Sequence, residues 1–209
     1  MRTIMLMNAK GGCGKTTLAT NIATWFADEG ATVALADFDP QGSSLDWLEA
    51  RKDYEGIPDI QGIDATRNPV RPARGTDILI MDAPAGTHGS EINSMLKRVQ
   101  SLIVPVLPSP IDMRACSRFL EELLRSGRVS RQQTQIAIVA NRVRENTLIY
   151  RQLEEYLAHL NVPFLTHLRE SQNYIRAAER GLGIFEMAPS MVWQDEELWD
   201  PILAWLENQ

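Results

Sequence analysis

The stretch that most constrains this chain is residues 8–17, NAKGGCGKTT. An apolar run from Thr3 to Met7 precedes it and predicts a buried strand, and a helical pattern from about Thr17 to Glu29 follows it. Three glycines between a strand and a helix let the backbone approach an anion closely. The N–H groups of the new helix then point at that anion. The sequence therefore predicts a phosphate-binding loop at the end of the first strand.

Two lysines in this loop have different expected roles. Lys15 is placed to reach the β- and γ-phosphate oxygens of a nucleotide, and the Thr16 hydroxyl is placed to ligate Mg²⁺. The common form of the loop has glycine where this chain has Ala9, and here a second lysine, Lys10, stands directly before the glycines. Lys10 cannot easily fold back onto oxygens that Lys15 already binds. It is either a solvated surface lysine or a side chain that reaches a nucleotide held by a facing subunit.

Carboxylates follow two further predicted strands. A strand over Thr32 to Ala36 leads directly into Asp37 and Asp39, and the apolar run 77–82 ends on Asp82 in the Walker B arrangement. The carboxyl ends of parallel strands form the crevice in which open α/β sheets bind ligands, so we expect these acids near the phosphate loop. Asp82 is predicted to hold Mg²⁺ through water, and Asp37 to hold the outer hydration shell or the loop itself. Asp39 could equally be a turn and helix-capping acid.

The order strand, helix, strand predicts a βαβ unit with a right-handed crossover. We therefore expect an α/β fold, a doubly wound and mostly parallel sheet flanked by helices, in one domain over residues 1–209. Residues 54–76 show no sustained period and are predicted to form a surface loop. An amphipathic, acidic helix over about residues 195–207 is predicted to pack on this domain.

Charge and cysteine content narrow the possible compartments and partners. The only cysteines, Cys13 and Cys116, are too few and too far apart for a disulfide framework, and no apolar run approaches the ~20 residues of a membrane span. The N-terminus passes straight into the first strand, so we expect no signal peptide and a cytoplasmic protein. The net charge is −6, but residues 110–180 carry eleven arginines, no lysine and eight acids. Such a segment suits contacts with a phosphate backbone, and it suits ordinary solvated helix faces equally well.

Residues 10–17, KGGCGKTT, resemble the deviant Walker A motif of the ParA/MinD ATPases. These P-loop proteins position plasmids, chromosomes, division sites and other cellular cargo. The resemblance extends over about residues 1–190, and the Asp37-x-Asp39-Pro-Gln pattern is similar to the family's switch I. Because the loop begins at Asn8, the chain resembles the small, ParF-like class, which has no upstream helix-turn-helix domain.

The resemblance implies ATP and Mg²⁺ as cofactors and an ATP-sandwich homodimer in which Lys10 reaches the partner's nucleotide. It implies that Asp39 orients the attacking water and that Asn141, after a predicted strand over residues 135–140, reads the adenine. The catalytic residues would be Lys10, Lys15 and Asp39. The implied nucleotide-binding residues are Lys10, Gly11, Gly12, Cys13, Gly14, Lys15, Thr16, Thr17 and Asn141.

The family's late arginine-bearing segment resembles residues 169–183 of this chain. By that resemblance Arg169, Arg176 and Arg180 would bind DNA without sequence preference. The implied partners are nonspecific DNA and a ParB-like or cargo-adaptor protein that stimulates hydrolysis, which would place the protein on the nucleoid. The cargo could be a plasmid, a chromosome locus or a protein assembly such as the carboxysome.

Three other classes of protein fit the sequence less well. A metabolic P-loop enzyme similar to dethiobiotin synthetase needs a substrate pocket, for which the sequence offers no second constellation. A MinD-type membrane regulator needs basic residues on its terminal helix to meet anionic lipid, whereas residues 181–209 carry six acids and no base. An iron-protein-like reductase needs two cluster cysteines on loops near the dimer axis, and Cys13 lies inside the phosphate loop.

Overall fold

The computed structural model describes all 209 residues and contains one sheet of seven strands. The strands are β1 (Arg2–Leu6), β2 (Val33–Asp37), β3 (Ile60–Asp64), β4 (Ile78–Asp82), β5 (Ser101–Val106), β6 (Gln135–Val143) and β7 (Phe164–Arg169). All neighbouring pairs are parallel, in the order β3-β2-β4-β1-β5-β6-β7. The predicted α/β class with a parallel, doubly wound sheet is confirmed.

Nine α-helices cover the two faces of this sheet. They are α1 (Lys15–Asp28), α2 (Ser43–Arg51), α3 (Ser90–Leu96), α4 (Pro110–Leu124), α5 (Gly127–Ser130), α6 (Leu148–Ala158), α7 (Gln172–Glu179), α8 (Pro189–Glu197) and α9 (Asp200–Glu207). A 3₁₀ turn at Ile184–Glu186 joins α7 to α8. No helix combines the length and the apolar content that crossing a bilayer requires.

Alternating strand residues build a separate apolar layer on each face of the sheet. One layer of 26 buried residues joins the sheet to α1, α2 and α7 to α9, and the other, of 25, joins it to α3, α4 and α6. Strands covered on both faces are fully buried, as β2, β4 and β5 are here. The helices thus bury the sheet faces and leave its carboxyl edge as the available crevice.

Two predicted elements differ from the structure. The segment 54–76 contains the edge strand β3, whose backbone pairs with β2 over Val33↔Ile60 to Asp37↔Asp64. The terminal helix predicted over residues 195–207 is two helices, α8 and α9, with Pro201 in the first turn of α9. Proline removes one helical N–H and its ring clashes with the carbonyl four residues earlier, so a continuous helix ends there. The terminal helices do pack on the domain, with Trp199 and Ile202 fully buried.

Candidate functional site

The predicted phosphate loop lies between β1 and α1. Gly12 and Gly14 adopt left-handed backbone angles, φ 73° and φ 96°, which favour glycine strongly over other residues. The Lys15 ammonium donates to the backbone carbonyl of Lys10 at 3.2 Å. It therefore lies inside the loop in which a phosphate would bind. Lys15 is buried and is the first residue of α1, so a cation stands at the helix N-terminus, where the free N–H groups favour an anion.

Asn141 reaches the loop from the far side. It lies in β6 next to Arg142, whose φ of 54° marks an irregular register with β7. The Asn141 amide is buried and donates to the carbonyl of Cys13 at 2.8 Å. A Cβ atom at Gly14 would lie 2.0 Å from the Asn141 amide nitrogen. Glycine at position 14 is therefore required both by its backbone angle and by the close approach of Asn141.

Asp82, the Walker B carboxylate, accepts hydrogen bonds from the hydroxyl groups of Thr16 and Ser44. Its Oδ2 atom accepts hydrogen bonds from Thr16 Oγ1 and Ser44 Oγ, each at 2.7 Å. Its Oδ1 atom is buried and has no hydrogen-bond partner. A buried carboxylate oxygen without a donor is unfavourable, and carboxylate and hydroxyl oxygens are ligands that Mg²⁺ prefers. Asp82 and Thr16 therefore fit a hydrated magnesium ion, because the Thr16 hydroxyl keeps its lone pairs free while it donates to Asp82.

The protonation of Asp82 follows from its position. Burial raises the pKa of Asp82 to about 6, the hydrogen bonds from Thr16 and Ser44 oppose that rise, and the neighbouring Asp37 carboxylate adds to it. Burial likewise raises the pKa of Asp37, while backbone N–H groups that donate to it lower it. Two buried carboxylates side by side repel each other unless a cation lies between them. The pair therefore favours cation binding at this edge.

Asp37 and Asp39 have different surroundings. Asp37 is fully buried and accepts from the backbone N–H groups of Asp39 and Ser44, at 2.9 and 2.8 Å. It thereby fixes the loop that follows β2 and the start of α2. Asp39 is half-buried, and its Oδ1 accepts from the N–H of Gln41 at 3.0 Å in a local turn. The second Asp39 oxygen has no protein partner and remains available to a water molecule.

A cavity of about 490 Å³ extends from the phosphate loop to α7. Its walls include Gly12, Gly14 and Asn141 on one side and Tyr174 and Ile175 on the other. Most of the other lining residues are polar or charged, among them Arg142 and Glu170, so the cavity is a polar cleft with its aromatic and apolar side chains on the α7 wall. This cavity continues the phosphate loop and is large enough for the base and sugar of a nucleotide.

The structure separates the three arginines that the sequence grouped together. Arg169 donates from Nε and Nη2 to both oxygens of the fully buried Asp195, at 2.6 and 3.1 Å. Arg176 and Arg180 are exposed and make no ion pair. Arg169 therefore serves an internal ion pair between β7 and α8, and Arg176 and Arg180 are the two that face solvent.

Lys10 directly precedes the glycines of the loop and is half-buried. Its backbone N–H is held by the Asn8 side chain at 3.1 Å, and its ammonium has no carboxylate partner in the chain. The lysine is thus part of the phosphate loop, and its ammonium makes no ion pair within the chain. This position is compatible with the predicted contact to a facing subunit.

One residue of this site was not predicted. Ser44 is fully buried and bonds both Asp82 and Asp37, yet it stands in a serine pair that resembles an ordinary helix start. The available signal was its spacing, seven residues after a strand-end aspartate. That signal does not distinguish Ser44 from the exposed Ser43 without the geometry of α2.

The parallel sheet, the glycine-rich loop on β1 and the carboxylates at the ends of β2 and β4 define a P-loop nucleotide-binding domain. The family described as CobQ/CobB/MinD/ParA nucleotide binding domain (CbiA) matches residues 4–184, and the chain belongs to it. The family resemblance seen in the sequence is thereby confirmed.

Relatives and solved structures agree with this assignment. The chain is 29% identical over 191 residues to the Maintenance of carboxysome distribution protein A of Halothiobacillus neapolitanus, covering 88% of this chain and 87% of that protein. It is 28% identical to the Chromosome-partitioning ATPase Soj of Thermus thermophilus, in an alignment that covers 91% of this chain and 90% of that protein. A plasmid partition protein from Borrelia burgdorferi, solved with AMPPNP, superposes with a TM-score of 0.74 at 16% identity, covering 97% of this chain and 98% of that one. At 16% identity, the similarity to the Borrelia burgdorferi structure is evidence for the fold alone.

Proposed function

We propose that this protein is a ParA-type ATPase that closes as a dimer around ATP, binds DNA without sequence preference and positions a cellular cargo. The observation that carries the proposal is the loop itself. In it Lys15 donates to the loop backbone, Thr16 donates to Asp82, and Lys10 makes no ion pair within the chain. Similarity to a carboxysome-distribution protein and to a chromosome-partitioning ATPase, each over most of the chain, supports the positioning role.

Hydrolysis would depend on charge placement more than on a strong base. Mg²⁺, when bound with the nucleotide, neutralises charge on the phosphate oxygens. Lys15 binds the β- and γ-phosphate oxygens, while Thr16 and Asp82 hold the metal and its water shell. Asp39, with one carboxylate oxygen unpartnered, orients the attacking water. Asn141 supports the loop at Cys13 and faces the base cavity, where its amide can donate to and accept from an adenine.

The dimer explains the second lysine. The ammonium of Lys10 makes no ion pair in the single chain, and a triphosphate on a facing subunit supplies the anionic charge for one. A site completed by a partner gives slow turnover alone and allows an adaptor protein to stimulate hydrolysis. Stimulated hydrolysis would separate the subunits and release the DNA.

Duplex DNA would meet the exposed arginines of α7 and its C-terminal end. Arg176 and Arg180 are exposed to solvent, and Tyr174 and Ile175 of the same helix line the cavity next to the phosphate loop. This helix is therefore placed to respond to nucleotide. Contacts from arginine to phosphate carry no base preference, which suits a protein that holds the nucleoid at any sequence.

The test is a filter-binding assay on an arbitrary duplex, with a nonhydrolysable ATP analogue against ADP, each with Mg²⁺. We expect binding with the ATP analogue and little with ADP, and a steep loss of affinity as salt rises. A Lys15→Ala variant, which lacks the phosphate-binding ammonium, should lose the nucleotide dependence. Equal DNA binding with ATP analogue, ADP and no nucleotide would contradict the proposal.

A further inference from the structure

Ser44 joins two carboxylates that belong to neighbouring strands. Asp37 on β2 and Asp82 on β4 are direct register partners at the carboxyl edge of the sheet. The Ser44 backbone N–H donates to Asp37 Oδ2 at 2.8 Å, and its hydroxyl donates to Asp82 Oδ2 at 2.7 Å. Ser44 is itself fully buried, so water does not compete for either bond.

We infer that Ser44 is a positioning residue for the metal carboxylate: its hydroxyl fixes Asp82 so that Oδ1 is the oxygen left for the hydrated cation. The inference rests on the proposed Mg²⁺-nucleotide role of this site. Thr16 and Ser44 both donate to Oδ2, and two donors on one oxygen set the orientation of the carboxylate group. The other oxygen, Oδ1, is buried and has no donor in the protein.

The Ser44 hydroxyl is not needed as a helix cap, because another side chain caps α2. The N-terminus of α2 has no side-chain cap at Gly42. Instead Asp37 accepts from the N–H groups of Ser44 and Leu45, at 2.8 and 3.4 Å. The Ser44 hydroxyl points instead at the metal carboxylate. Partners that orient metal-binding groups typically change metal affinity by about 10- to 100-fold when removed.

The adjacent Ser43 is a matched control. It has the same side chain and the same helix, but it is exposed and its hydroxyl makes no hydrogen bond. Ser43→Ala therefore removes a serine hydroxyl from the same helical turn without removing a hydrogen bond to Asp82, and it controls for the effect of the substitution on α2.

The experiment measures the binding of a fluorescent, nonhydrolysable ATP analogue with Mg²⁺ and with EDTA. We expect Ser44→Ala to weaken binding in Mg²⁺ roughly tenfold or more and to leave binding in EDTA within about twofold. Ser43→Ala should match the wild type in both buffers. Ser44→Thr, which keeps the hydroxyl, should restore binding in Mg²⁺ to within a few-fold of wild type.

Two results would overturn the inference. One is a Ser44→Ala variant that binds like the wild type, or that loses equal affinity with and without Mg²⁺. The other is a Ser44→Thr variant as weak in Mg²⁺ as Ser44→Ala. If the wild-type protein itself gains no affinity from Mg²⁺, the proposed function fails instead, so the two failures are distinguishable.

Discussion

Replacing the Walker B aspartate, Asp82→Asn, should stabilise the free protein while abolishing its response to magnesium. Folding raises the pKa of Asp82 from its ordinary 3.8 to about 6, chiefly through burial. The folded chain therefore holds this proton more tightly than the unfolded chain, and stability falls as pH rises from the lower value to the higher one. Above both values the ionised carboxylate costs about 3 kcal/mol, at 1.36 kcal/mol for each pKa unit.

The amide removes that penalty because it carries no charge, and its carbonyl oxygen can take the place of Oδ2 opposite Thr16 and Ser44. Its NH₂ group takes the place of Oδ1, a buried atom with no hydrogen-bond partner, which offsets about 1 kcal/mol of the gain. We expect the free energy of unfolding of Asp82→Asn to exceed that of the wild type by about 1 to 2 kcal/mol near pH 7.5 and to equal it near pH 4.5. With Mg²⁺ and an ATP analogue the order should reverse, because the wild type binds the magnesium complex of the analogue more tightly than the variant does.

Urea unfolding followed by tryptophan fluorescence measures this, since the chain has five tryptophans. The wild type and the variant are compared at both pH values, with and without Mg²⁺ and the analogue. A variant less stable than the wild type near neutral pH without ligand would refute the reasoning. A stability difference that does not change between the two pH values would refute it equally.

Three further outcomes follow from the structure. Asp39→Ala should bind ATP normally and hydrolyse it at least tenfold more slowly, in a phosphate-release assay with Mg²⁺; unchanged turnover would remove Asp39 from the reaction. Replacing Arg176 and Arg180 by glutamine should weaken binding to any duplex and flatten its salt dependence. Replacing Arg125 and Arg131, two exposed arginines between α4 and β6, should not; equal loss in the two double variants would indicate only a net-charge effect. Gly181→Ala should lower the free energy of unfolding by about 2 to 4 kcal/mol, because φ is 66° there and a Cβ would lie 2.2 Å from the backbone of α2; a loss below about 1 kcal/mol in urea unfolding would contradict that packing.

The phosphate loop and the strand-end acids were predictable because each depends on local sequence. Glycine spacing, the apolar run before it and the helical period after it all agree over residues 3–29. Asp37 and Asp82 follow apolar runs, and the parallel topology brings the ends of such strands to one edge.

Strand β3 was not predictable from its own residues. It is a half-buried edge strand, and Gly62 in its centre leaves room for Leu45 and Leu48 of α2. Its conformation is set by pairing with β2, which the sequence of residues 60–64 does not encode as an alternating pattern. The split between α8 and α9 had a local signal in Pro201, which the continuous apolar period over residues 198–206 outweighed.

Contacts between distant residues account for the remaining differences. The ion pair between Arg169 and Asp195 joins β7 to α8, and the bond from Asn141 to Cys13 joins β6 to the phosphate loop. None of these residues lies in a sequence motif from which its contact partner could be predicted. The predicted roles of Asn141 in reading adenine and of Arg176 and Arg180 in binding DNA remain predictions.

The central claim, that Lys10 completes the site of a facing subunit, is tested most directly by molar mass. Size-exclusion chromatography with light-scattering detection, run in Mg²⁺ and a nonhydrolysable ATP analogue, should give a molar mass of twice the 23.5 kDa of one chain for the wild type. Lys10→Ala should still bind the analogue and should elute at the mass of a single chain. A wild type that stays monomeric at saturating analogue, or a Lys10→Ala variant that dimerises as well as the wild type, would contradict the account.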